Sequence, residues 1–169
     1  MVPVFAVGNS GPKCRTVVSP SDYRGVISVG ATDKQDDIVR FSSLGPGANG
    51  TSGALAYDPL TPNIVAPGLM IQGPSHESDD GYTGFSGTSQ AAPHVAGAAA
   101  ILLSKNPSWS PSQVANALYA SSTTSLPVPD AGWDKCGMPT SGTGERTANF
   151  PNFIAGHGRL DVAPSLGLA

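Results

Sequence analysis

Two short strings in the sequence carry residue types that can do chemistry. Gly87-Thr88-Ser89 stands directly before a long, alanine-rich apolar stretch that reads as a helix. A serine there sits at a helix N-terminus, where unpaired backbone N–H groups and the dipole favour negative charge. If Ser89 attacks a carbonyl, the oxyanion forms about one bond from the nucleophile, close to those same N–H groups. The plainer alternative is that Thr88 or Ser89 only caps the helix, which is what most such strings do. The string is not the hydrolase elbow G-x-S-x-G, because Ala91 follows Gln90. The second string is Gly8-Asn9-Ser10-Gly11, directly after an apolar run. Asn and Gly are ordinary turn residues. Alternatively, Asn9 places an amide at the carboxyl end of a strand, where open α/β sheets bind ligands. Such an amide can give an oxyanion its second hydrogen bond, a donor worth roughly 3–4 kcal/mol of transition-state stabilisation.

These strings have to be positioned by the elements around them. Val2–Val7 is short and continuously apolar and reads as a buried strand running into the Asn9 loop. Val26–Ala31 reads as a second such strand, and Phe41–Ser43 and Asn63–Ala66 as shorter ones, the last stopped by Pro67-Gly68. Continuous rather than alternating apolar strands point to a sheet covered on both faces. Ser89–Lys105 reads as a helix that is apolar on nearly every side and is therefore expected to be buried all round. Pro93 falls near its first turn, where a missing N–H does least harm. A second helix begins at Ser110, with Pro111 at its first position and Gln113 completing a capping box. Val114, Ala117 and Leu118 supply its buried stripe. Gly45–Thr61 and Ser121–Asn152 read as loops, and Asp161–Leu166 as a final short turn. With no internal repeat or linker, the chain reads as one α/β unit of parallel strands and covering helices.

Composition narrows the function classes. The 169 residues are 39% apolar, enough to bury a core, and only 12% charged, with Gly and Pro abundant at 21 and 16 residues. A net charge of −3 offers no basic field for phosphate backbones, so nucleic acid is not an expected partner. The longest apolar run, Val95–Leu103, is far short of a membrane span. No signal peptide of the usual layout opens the chain, and its start inside an apparent core strand reads as a truncation. Cys14 and Cys136 lack zinc or redox spacing; they are either two separate thiols or one disulfide. Asn49-Gly50-Thr51 is a glycosylation sequon in a loop-like stretch. Asp33, Asp36 and Asp37 read as a solvated turn, and no cofactor or metal site is expected.

Read in order, Phe5–Gly11, Val26–Thr32, Phe41–Ser43, Ala66–Gly68 and Gly87–Gly97 resemble the subtilisin-like serine proteases. Ser19–Tyr23 and Gly156–Asp161 resemble bacillopeptidase F-like members in particular. The resemblance implies a three-layer subtilisin-like α/β fold with a mostly parallel sheet, acting by an acyl-enzyme mechanism on protein or peptide substrates outside the cell. It implies Ser89 as nucleophile, Asn9 as oxyanion-hole amide, and Ala6, Val7, Gly8 and Thr88 as substrate-binding residues. It also implies a shallow specificity pocket, because Val18 stands where glycine is usual; separately, Gln90 stands beside the nucleophile where many members carry Met, which does not prevent catalysis. Carbonyls near Ser21–Val26 resemble a weak cation region of some members, without implying a metal here. The family's Asp and His motifs lie upstream of the Asn motif and are absent from this sequence. His76, His94 and His157 do not match the general base. Residues 1–169 are thus expected to be the C-terminal portion of one peptidase domain, inactive until joined by the Asp and His donors. A non-catalytic peptide-binding fragment and a complementing half of a split protease are the alternatives.

Overall fold

A computed structural model describes residues 1–47, 58, 60–127, 133, 136 and 150–168. The sequon at Asn49 and most of the two long loop stretches lie outside the described residues. Three parallel strands form the centre: β1 (Val4–Ala6), β2 (Ile27–Thr32) and β3 (Ile64–Pro67), in the order β1-β2-β3. Val4 stands opposite Ile27, and Val29 opposite Ile64. All six residues of β2 are buried, as the continuous apolar pattern requires of a central strand covered on both faces.

Helix α1 (Thr88–Lys105) crosses all three strands and buries Thr88, Ala91, Val95, Ala98, Ala99 and Leu102. Small residues permit this close approach. A Cβ on Gly68, just past β3, would come within 2.7 Å of the Ala31 Cβ and 3.3 Å of the Ala91 Cβ. The expectation of burial all round is corrected here. Pro93, His94, Ala96, Gly97 and Ala100 are exposed, Ile101 is 46% exposed, and a Cβ on Gly97 would meet nothing within 4 Å. An apolar helix is buried only where an element covers it, and among the described residues the sheet covers one face.

Helix α2 (Pro111–Ser121) starts with the capping box read from the sequence: Gln113 N–H donates to Ser110 Oγ at 3.3 Å, and Ser110 N–H donates to Gln113 Oε1 at 2.8 Å. It buries Val114 and Leu118, while Ala117 is half-buried. A 3₁₀ turn at Pro164–Leu166 closes the chain against α2.

Phe41–Ser43 forms no strand. Its hydroxyls instead serve neighbouring backbone: Ser42 Oγ accepts from Ala31 N–H at 3.1 Å, and Ser43 Oγ from Ser10 N–H at 3.1 Å. An antiparallel hairpin of β4 (Ile71–Pro74) and β5 (Tyr82–Phe85) stands outside the main sheet and has no counterpart in the sequence reading. The acidic turn is not simply solvated, since Asp36 Oδ1 lies 2.8 Å from Arg159 Nε in an ion pair. Asp33 Oδ1 accepts from the N–H groups of Gln35 and Asp37. Cys14 and Cys136 form a disulfide with Cα atoms 5.3 Å apart, so the pairing alternative holds. Cys136 packs with Leu44, Trp133 and Ile154 in a second core cluster, apart from the main one between sheet and helices.

Candidate active site

The two chemistry-bearing strings, nearly eighty residues apart in sequence, meet at the carboxyl end of the sheet. β1 ends at Ala6, and the chain turns at Gly8 with φ of +104°, a conformation that favours glycine. Space is tight there as well, because a Cβ would sit 3.0 Å from Ser43 Oγ and 3.1 Å from a Val18 methyl. The turn brings Asn9 against the first residue of α1. Thr88 N–H donates to Asn9 Oδ1 at 2.9 Å, and the Thr88 hydroxyl donates to the same oxygen at 3.1 Å. Gly8 N–H in turn donates to Thr88 Oγ1 at 3.3 Å. Thr88 is fully buried and Asn9 is exposed.

This pattern fixes the Asn9 amide. A carboxamide oxygen has two lone pairs, and Thr88 takes both, so the Nδ2 donors are the end left to face outward. Gly87 shows where they face: a Cβ built on it would lie 3.4 Å from Asn9 Nδ2 and 3.6 Å from Ser89 N. Asn9 Nδ2 and Ser89 N thus both border the space a Gly87 side chain would fill, and Gln90 Oε1 borders it more closely, 3.0 Å from the same point. Ser89 N belongs to the first turn of α1 and has no acceptor within the helix. N–H donors beside a hydroxyl at a helix N-terminus can stabilise negative charge developing on an atom the hydroxyl oxygen attacks.

Ser89 is exposed and opens onto a shallow groove of about 330 Å³ shared with Ile71, Gln90, Pro93 and His94. The chain belongs to the subtilase family. Residues 1–158 match the family described as Subtilase family. Among curated proteins, this subtilase chain is 41% identical over 120 residues to Alkaline elastase YaB of Bacillus sp. (strain YaB), a match covering 71% of the chain and 27% of that protein. It is 39% identical over 121 residues to Subtilisin Savinase of Lederbergia lenta, covering 72% of the chain and 38% of that protein. Among solved structures it is similar to the Prenylagaramide maturation protease PagA, with a TM-score of 0.63 and 30% identity over 96% of this chain and 48% of that one. The Patellamide maturation protease PatA gives a TM-score of 0.65 and 28% identity over 98% and 50% of the two chains. The chain therefore spans about half of these solved structures and less of the curated relatives.

Of the other residues singled out in the sequence, some lie beside Asn9 and Ser89 and others lie elsewhere. Ala6 and Gly8 are half-buried beside Asn9, whereas Val7 is fully buried. The backbone of Val7 is also spent: its N–H donates to Val29 O, and its carbonyl accepts from Val18 N–H, both at 3.1 Å. Val18 is half exposed and borders Gly8. His94 Nδ1 lies 2.8 Å from the carbonyl oxygen of Gln90, one turn back on its own helix. His76 is exposed between β4 and β5. His157 stacks on Tyr119, with ring centroids 4.4 Å apart and planes within 2°. Burial lowers the His157 pKa below its usual value, partly opposed by the Asp58 charge, and burial followed by Asp58 raises that of Tyr119. Among the described residues, no hydrogen bond joins any of the three histidines to Ser89. What sequence reading missed is the orienting contact from Thr88 to Asn9. Its only signal was the adjacency of a hydroxyl residue to the candidate nucleophile.

Proposed function

We propose that this chain is the C-terminal portion of a subtilisin-like serine endopeptidase domain, with Ser89 as its nucleophile. In the complete enzyme Ser89 Oγ attacks the scissile carbonyl carbon. A histidine from the upstream portion takes the hydroxyl proton and returns it to the leaving amine. An upstream aspartate orients that histidine. Asn9 Nδ2 and Ser89 N–H hold the oxyanion of the tetrahedral intermediate, and water then releases the acyl group from Ser89. The observation that carries this reading is the pinning of Asn9 Oδ1 by both donors of Thr88, which turns the amide donors toward the space beside Ser89.

Ala6 and Gly8 form one wall of the substrate pocket with Val7 behind them, and Thr88 acts on the substrate only through Asn9. Val18 narrows the pocket and favours small side chains next to the scissile bond. The disulfide supports an extracellular setting. The positions of the three histidines favour a portion that needs an upstream base over a chain active alone.

Peptide hydrolysis tests the reading in the protein that carries the upstream Asp and His motifs. Ser89→Ala abolishes turnover. Asn9→Ala lowers kcat about 10²- to 10³-fold with KM little changed, as for removal of one oxyanion donor. Hydrolysis that survives Ser89→Ala overturns it.

A further inference from the structure

At the pole of the sheet opposite Ser89 lies a cavity of about 420 Å³. It opens between α2 and the amino ends of the parallel strands, with Val2 just before β1, Ile27 opening β2 and Asn63 just before β3. The volume suits a small organic ligand. Its walls are largely apolar, and among the described residues Asp58 is its only carboxylate and no Lys or Arg lines it.

Asp58 is held in a fixed orientation. Its Oδ1 accepts from Leu60 N–H at 3.0 Å and its Oδ2 from Asn63 Nδ2 at 3.2 Å. Asn63 is itself locked, because its side-chain Oδ1 accepts from both the N–H and the hydroxyl of Ser28 at 2.8 Å. Each carboxylate oxygen still has lone-pair capacity directed elsewhere. The stacked rings of Tyr119 and His157 make a flat wall of the same cavity. Burial holds His157 toward its neutral form, so it does not cancel the Asp58 charge, and the Asp58 field reaches both rings. Asn116 adds an exposed amide at the rim.

We propose that this cavity binds a small organic cation, an ammonium or guanidinium group on an apolar stem, with Asp58 receiving the charge and the Tyr119–His157 wall the stem. An anion would meet uncompensated like charge there. A neutral apolar group would desolvate the carboxylate with no new partner for it. An arginine or lysine side chain of a peptide and a free amine share this chemistry. Occupancy does not involve Ser89 and stands apart from the proteolytic reading.

The test is titration of the complete protein, upstream portion included, with n-butylguanidinium, followed by the imidazole resonances of His94 and His157. n-Butylurea is the neutral isostere and acetyl-Gly-Arg-Gly-amide the peptide-borne form. The expected result is saturable, millimolar binding that shifts His157 and leaves His94 alone. The urea and the Asp58→Asn variant should bind at least about tenfold more weakly, and Ser89→Ala as the parent does. Peptide binding of equal strength assigns the site to side chains; binding of the free cation alone assigns it to small amines. Ala115→Leu fills the cavity while leaving the Asp58 hydrogen bonds intact, and decides the matter should Asp58→Asn fail to fold. No saturation, equal binding of the urea, equal binding by a folded Asp58→Asn or Ala115→Leu, or a shift at His94 instead of His157 each overturns the proposal.

Discussion

Replacing Thr88 by valine keeps the shape of the side chain and the backbone N–H and removes only the hydroxyl. Two contacts go with it: the 3.1 Å bond to Asn9 Oδ1 and the 3.3 Å bond accepted from Gly8 N–H. At about 1 kcal/mol per hydrogen bond the variant loses about 2 kcal/mol of stability, since Thr88 is fully buried and no water replaces its hydroxyl. The catalytic effect is indirect. Asn9 keeps the 2.9 Å bond from Thr88 N–H, so its amide is loosened rather than lost. The cost is then a fraction of the roughly 3–4 kcal/mol that an oxyanion donor supplies, about 1–2 kcal/mol, or about a fivefold to thirtyfold drop in kcat. The assay is a double-mutant cycle in the complete protein with Thr88→Val, Asn9→Ala and both together, measuring kcat and KM separately. If Thr88 acts only by aiming Asn9, the double variant is no slower than Asn9→Ala alone, and KM hardly moves. Additive losses in kcat, or a Thr88→Val enzyme as fast as the parent, refute the reasoning.

Four further outcomes follow from the same structure. Replacing Cys14 and Cys136 by serine opens a covalent loop across a separation of 122 residues. In the chain-entropy account it costs about 5 kcal/mol, read as a large fall in Tm that reductant reproduces in the parent. The His157 pKa is lowered in the folded state, so the unfolded chain takes up its proton first. Stability is whole above the ordinary histidine value of about 6.5 and is lost as pH falls from there through the folded-state pKa. His157→Gln should flatten that acid limb in urea melts between about pH 7 and 5, and an unchanged limb would assign it elsewhere. Asp36→Asn breaks a partly exposed ion pair with Arg159 and should cost less than about 1 kcal/mol, shrinking further in high salt. Val18→Gly enlarges the space beside Gly8, so kcat/KM should shift toward peptides with larger side chains before the scissile bond; an unchanged profile removes Val18 from the pocket.

The features legible in the sequence were those encoded locally. Ser110, Pro111 and Gln113 specify the start of α2 within four residues, and the structure forms both bonds of the box. The unbroken apolar run at Val26–Ala31 marks a strand buried on both faces because no alternation is needed where both sides are covered. The features that escaped depend on what lies across space. Pairing of Asn9 with Thr88 links residues 79 apart, and no local pattern encodes it. Phe41–Ser43 has strand-like composition, but its serines spend their hydroxyls on β2 and the Asn9 loop instead of a ladder. The β4–β5 hairpin is short and mostly exposed: β4 alternates half-buried and exposed residues over only four positions, and β5 does not alternate cleanly. α1 shows the limit most plainly: its composition states that every face tolerates burial, and only the arrangement of neighbours decides which face receives it.

Fluorophosphonate labelling read by intact mass tests whether Ser89 is a nucleophile whose base comes from outside this chain. The expected result is no adduct on the folded chain alone. A single adduct is expected when the upstream Asp and His portion is present, lost on Ser89→Ala. An adduct on the isolated chain that Ser89→Ala removes would show that the base is already here. The absence of any adduct on the complete, folded protein would show that Ser89 is not the nucleophile.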